Sequence, residues 1–202
     1  MQSSLLIRSP GKPKPPSVIS GADAIPPGWT GAQCPGALSD LAGVVTSDAN
    51  QIDIKNGGSI TGSPSIREDI TVADADFADL GPLTYTALAA QAHFTFPGGT
   101  RLNNAVNPVV AGGTCSTGVS TNWGSPLTPG GPCGSWMPIV HATGDLRISG
   151  AGQGQGILLV DGDLTIDGTL QYYGLVIVLG NLSMTSTGRI YGGILVRGGV
   201  GG

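Results

Sequence analysis

The sequence predicts an all-β fold: a triangular parallel β-helix with eighteen residues per coil, one docked α-helix and a loop-rich N-terminal cap. Three observations predict it. First, from Gly144 the chain cuts into hexapeptides, GDLRIS, GAGQGQ, GILLVD, GDLTID, GTLQYY, GLVIVL, GNLSMT, STGRIY and GGILVR, all but one opening with glycine. Second, three units make a longer period, so GDLRIS, GDLTID and GNLSMT align, as do GILLVD, GLVIVL and GGILVR. Third, the third and fifth residues of the units are apolar, as in Leu146 and Ile148, Leu164 and Ile166, Leu182 and Met184, or Val176 and Val178. Alternation at period two puts those side chains on one face of a short strand, which must be the inside. A short regular period signals a solenoid, and glycine supplies the backbone freedom that its corners need. Successive coils then stack about 4.8 Å apart through main-chain hydrogen bonds.

In chain order, "SSLLIRS", "SVISGADAIPPGW" and "GVVTSDANQIDIKNGGSITGS" contain alternating pieces broken by Gly, Pro and Asn, which predicts short strands that extend or cap the solenoid. Residues 84 to 95 predict the one helix: Tyr85, Leu88, Ala89 and Ala92 recur at helical spacing, Thr84 caps the start, and Pro97-Gly98-Gly99 ends the run. Its partner is an outward-facing apolar stripe, Ile157, Leu159, Leu175, Ile177 and Leu195, which would otherwise be an exposed patch. Residues 97 to 135 read as irregular loop. The array begins near Pro138, because "PIVHAT" fits the unit GILLVD. The chain thus divides into residues 1–137 and the coils 138–202, expected to form one structural domain.

Composition bounds the function. Gly 35 and Pro 15 in 202 residues would suit disorder, but 40% hydrophobic residues and glycines at fixed intervals argue for a packed core. A net charge of -4, with no basic cluster, gives no footprint for nucleic acid or anionic lipid. The apolar run Leu5 to Ile7 is too short for a signal core or a membrane span, so no membrane contact is expected from this segment. Cys34, Cys115 and Cys133 show no zinc-knuckle spacing. Either Cys115 and Cys133 close the loop between them as a disulfide, with Cys34 left over, or all three are inert buried thiols.

Candidate chemistry gathers on the solenoid surface. Asp145, Asp163 and Asn181 share one slot in successive coils, just after a corner glycine, and Asp161 sits at the preceding corner. Two stacked carboxylates repel, which a divalent cation or a split in pKa would relieve. The cheaper reading is that Asp after Gly forms a turn by bonding its own backbone. His141 lies at an outward position of the apolar strand near Asp145 and Asp161, and His93 near the helix end can face it. Two imidazoles and a carboxylate suit zinc or manganese, with His141, His93 and Asp145 as ligands and Asp161 or Asp163 as the catalytic acid or base. A histidine hydrogen-bonded beneath the covering helix is the simpler alternative. Glu68, Asp69, Asp74, Asp76 and Asp79 gather before the helix; the DxDxxD of Asp74, Asp76 and Asp79 resembles part of a calcium loop but lacks its glycine and final glutamate, and helix-start electrostatics and solvation are the cheaper account. No GxSxG, HExxH or Walker motif is present.

The left-handed hexapeptide helices of acyltransferases want an aliphatic before each glycine, and Ser149, Gln155, Asp161 and Asp167 do not supply it. The spacing is nearer to that of bactofilin-type helices, as a general likeness. The combination of "SSLLIRSP", "ISGADAIPPGW", "NWGSP", "PIVHATGDLRISGAGQGQGILLVDGDL" and "GLVIVLGNL" resembles bacterial envelope proteins that carry a pilus-assembly, minor-pilin type N-terminal segment. That resemblance implies a cell-envelope or extracellular location and a hydrophobic prepilin helix ahead of this region. It brings no catalytic residues. The expected function is a non-enzymatic envelope or pilus-associated module that acts by self-association, through the open edge of the last coil, or by displaying its loops to a partner. The alternatives are a metal-dependent hydrolase of small esters or phosphoesters and, more weakly, a calcium-stabilised adhesin. No cofactor is demanded, and zinc, manganese or calcium are the ions those alternatives would take.

Overall fold

A computed structural model describes residues 4–7, 18–22, 24–25, 28–31, 39–51, 59–184 and 187–201. Cys34 lies outside them. In chain order the strands are β1 (Ser4–Ile7), β2 (Val18–Ser20), β3 (Val44–Thr46), β4 (Ser59–Thr61), β5 (Ile66–Glu68), β6 (Phe94–Phe96), β7 (Thr100–Asn103), β8 (Val110–Ala111), β9 (Thr114–Cys115), β10 (Ile139–Ala142), β11 (Leu146–Val160), β12 (Leu164–Val178), β13 (Leu182–Met184), β14 (Arg189–Val196) and β15 (Val200–Gly201). One α-helix is described, α1 (Tyr85–Ala90).

The fold is the predicted β-solenoid. Leu146 lies beside Leu164, and Leu164 beside Leu182, so the inward leucines form one column through three coils. All three are buried, with Ile148, Ile166, Val140, Leu158, Val176 and Val178 around them. The strands β11 and β12 pair over their whole length, Leu146↔Leu164 through Val160↔Val178, bending round the corners without losing register. Corner glycines permit the bend. At Gly174 φ is +144°, and a Cβ would strike the Gly156 carbonyl of the coil below.

One face is a parallel ladder of eight strands in the order β5, β3, β1, β14, β12, β11, β10, β6. The order in space and the order in sequence part at two places. The N-terminal strand β1 pairs with β14 from Ser4↔Gly193 to Ile7↔Val196, so the N-terminal strands continue the solenoid beyond its C-terminal coil. The edge of β14, expected to be open, is therefore covered by the chain's own β1. From β5 the chain then crosses to the opposite end of the ladder, where β6 pairs with β10.

That second crossing corrects three expectations. The array begins at Phe94, ahead of Pro138: β6 lies beside β10, and β7 beside the first part of β11 through Thr100↔Leu146 and Leu102↔Ile148. Residues 97–135 accordingly contain a solenoid rung as well as loop. The helix ends at Ala90, short of residue 95, because the chain leaves it to pair with β10; His93 N donates to Ile139 O at 2.8 Å. The backbone groups of β10 need partners, and Phe-Thr-Phe suits a pleated edge better than a helix turn.

The docked helix sits where it was expected. Thr84 Oγ1 accepts a hydrogen bond from Ala87 N, and Tyr85 and Leu88 pack on Leu159 and Ile177, with Ile157, Leu175 and Leu195 at the margin. This cluster lies outside the solenoid wall, separate from the interior core.

Candidate functional site

The corner acids build a ladder of hydrogen bonds to backbone. Asp145 Oδ1 accepts from Asp163 N (2.9 Å), Asp163 Oδ1 from Asn181 N (2.7 Å), and Asn181 Oδ1 from Gly199 N (2.9 Å). Each side chain therefore bonds the main chain of the following coil, eighteen residues on, and not its own turn as expected. The backbone N–H of Asp163 thus faces the Asp145 carboxylate and offsets part of its charge. The preceding glycines are explained by the same geometry: a Cβ at Gly162 would collide with Asp145 Oδ1, and one at Gly180 with Asp163 Oδ1. Here the glycine supplies room rather than unusual φ.

Asp161 gathers a different set. Its Oδ1 accepts from the Tyr85 hydroxyl (2.7 Å) and lies 2.9 Å from His141 Nε2. The Tyr85 and His141 rings meet edge to face at 6.2 Å. Burial first, and then the bond to Asp161, pushes the Tyr85 hydroxyl well above the usual tyrosine range, so it remains a donor. Helix α1 supplies Tyr85, β10 supplies His141, and the corner after β11 supplies Asp161. The three residues tie the helix to two coils at once. This is the simpler reading of His141, a histidine hydrogen-bonded beneath the covering helix.

His93 is held elsewhere. Its Nδ1 accepts from Ile139 N (3.0 Å), and its ring packs edge-on against Trp136 at 5.0 Å. The proposed ligands His141, His93 and Asp145 thus have three separate sets of partners: Asp161 and Tyr85, Ile139 and Trp136, and Asp163 N. Among the described residues, no group of three or more His, Cys, Asp or Glu side chains is placed to hold a metal ion. The acids before the helix also cap turns: Asp69 Oδ1 accepts from Thr71, Asp76 Oδ2 from Ala73 N and Asp79 Oδ1 from Gly81 N. The Thr71 bonds hold the Asp69 carboxyl below its ordinary range.

The Trp123 anchor was not foreseen, although the disulfide beside it was one of the two cysteine readings. Cys115 and Cys133 form a disulfide, closing a loop that drops Trp123 into the solenoid. The unit GAGQGQ carries glycine, Gly152 and Gly154, in both inward slots. Val106 and Trp123 occupy the space: a Cβ at Gly154 would lie 3.1 Å from Trp123 Cβ and 3.3 Å from Tyr172 Cδ2. Trp123 is fully buried, edge to face with Tyr172, and its Nε1 donates to Ser120 O (2.8 Å). Gln155 pins the loop from below, its Nε2 donating to Gly134 O (2.8 Å) and Trp136 O (2.9 Å). The available signal was the pair of glycines where aliphatics belong. On the same side, Trp29 stacks on Tyr173 at 6.3 Å and donates from Nε1 to Pro126 O.

Fold and site together define a β-solenoid module whose irregular segments are lashed to a regular array. Comparison with family models, curated proteins and solved structures finds no match to this chain. Among the described residues no helix is long and apolar enough to cross a membrane.

Proposed function

We propose that this chain is a non-enzymatic structural module of the bacterial cell envelope or of a pilus-associated assembly, and that it acts by self-association. The observation that carries the reading is the fate of the polar groups that first suggested chemistry. Asp145 and Asp163 bond backbone between coils, Asp161 and His141 bond each other and Tyr85, and His93 bonds Ile139. These contacts serve rigidity. A stack of parallel coils transmits load along one axis, since each coil touches only its neighbours. The Cys115–Cys133 disulfide supports an oxidising compartment, as the resemblance to pilus-associated envelope proteins implies.

Light scattering across a concentration series tests this directly, and the expected result is a mass that rises with concentration. Alongside it, ester and phosphoester hydrolysis is measured with zinc, manganese or calcium added. Turnover that is abolished by chelator and by His141→Ala would sink the proposal and favour the hydrolase.

A further inference from the structure

The solenoid is spliced from two stretches of chain, and the splice is non-covalent. The strands β1, β3 and β5 form three rungs, and β2 pairs with β4 beside them, so the described part of residues 4–68 contributes rungs of its own. The interior apolar residues of this unit, Val44, Ile19, Ile60 and Ile66, join the same core as the coils of residues 94–201. The unit meets those coils at the β1–β14 ladder, where the partners Ser4 and Gly193 lie at opposite ends of the sequence. A second grip comes from Trp29, which reaches Tyr173 and Pro126.

The covalent connection between the two units is narrow. Asp69 N still donates to Thr46 O, which fixes it to β3, and Asp76 Oδ2 already caps Ala73 N at the start of the segment leading into α1. Between these lies Ile70–Ala73, with Ile70 81% exposed. Leu80, Tyr85 and Leu88 beyond it belong to the cluster docked on the solenoid wall. A hinge of this length reaches roughly 14 Å when extended. Short hinges between two packed units favour exchange between copies over slack closure within one.

We propose that copies of this chain assemble by exchanging residues 4–68, so that β1 of one copy pairs with β14 of the next. This rests on the self-association reading and specifies its route. Every contact of the joint is kept in the exchange, because the β14 edge and the Tyr173 and Pro126 partners are the same on each copy. Only the hinge changes conformation. Reciprocal exchange closes a dimer, and sequential exchange gives an open chain. The equilibrium is set by the concentration of a second copy against the effective concentration of the tethered unit, so association rises with protein concentration.

Leu6 and Leu195 are register partners across the joint. Parallel neighbours lie about 4.8 Å apart, within reach of a disulfide. The test uses full-length chains that all carry Cys34→Ser. One has Leu6→Cys, another Leu195→Cys, and a third has both. The two single variants are concentrated together, oxidised mildly and run without reductant, with light scattering on the same samples. The expected result is a cross-linked species of twice the chain mass that grows with concentration, while the double variant closes within the chain at low concentration. An oligomer by light scattering with no cross-link between the single variants overturns the exchange and leaves self-association standing. A monomer at every concentration overturns both. A double variant that never cross-links shows the joint to be absent and overturns the exchange.

Discussion

The contiguous coils from Leu146 to Val196 and the spliced segments around them obey the same stacking geometry but are held in different ways. In the contiguous coils, spatial neighbours are eighteen residues apart and the same interactions recur: an inward leucine, a corner glycine, an acid or amide bonding the next coil. The spliced segments have no such repetition. Residues 107–137 depend on Trp123, the disulfide and Gln155, the crossing segment on Tyr85 and Leu88, and the N-terminal unit on β1 and Trp29. Repetition spreads stability over many equivalent contacts, whereas a splice concentrates it in a few.

Trp123→Ala strikes the anchor on which residues 107–137 most depend. It empties the space over Gly152 and Gly154, and the expected loss is about 3–5 kcal/mol in chemical denaturation. A loss below about 1 kcal/mol would mean the coil collapses around the cavity and the anchor is dispensable. Next is Cys115→Ser with Cys133→Ser. The closed loop has a sequence separation of 18, and opening it is expected to cost about 3 kcal/mol. Proteolysis is expected to cut first within residues 107–137, while the fragment carrying β11 and β12 resists.

Alkali probes the buried tyrosines of both regions. Burial, and then the neighbouring Tyr191, pushes Tyr173 up to about 12, while burial raises Tyr172 and Tyr85 further. A folded value above the unfolded one of 10.0 means that the stability is fully present below pH 10 and is lost as pH rises through about 12. Absorbance titration of the phenolates, run beside circular dichroism, is expected to show ionisation of these tyrosines lagging until the fold gives way. Full ionisation near pH 10 in a folded chain would contradict their placement. The smallest effect is expected of Asp163→Ala. Its bond to Asn181 N is one of a repeated set, so the loss is about 1 kcal/mol in the denaturation midpoint. A loss as large as that of Trp123→Ala would erase the distinction between the two regions.

Legibility in the sequence follows the same division. The columns Leu146, Leu164, Leu182 and Val140, Leu158, Val176 were readable because period two and period eighteen are both local patterns. The stripe of Leu159 and Ile177 announced a cover, and Thr84 marked where the covering helix starts. Sequence sets His93 near the helix end and His141 at an outward strand position without saying what else each ring meets. Ile139 N and Asp161 meet them first. Trp123 was hidden because nothing at position 123 signals that the empty slots belong to residues 152 and 154.

The sequence alone determined the coil: its length, its inward face and the corners where a glycine must stand, because each is a short-range consequence of backbone geometry repeated until it is unmistakable. Which segments complete the array is set by pairing across the fold. A strand edge such as that of β14 offers the same N–H and C=O groups to any parallel strand, and its partner β1 comes from the opposite end of the chain, beyond the reach of any local pattern.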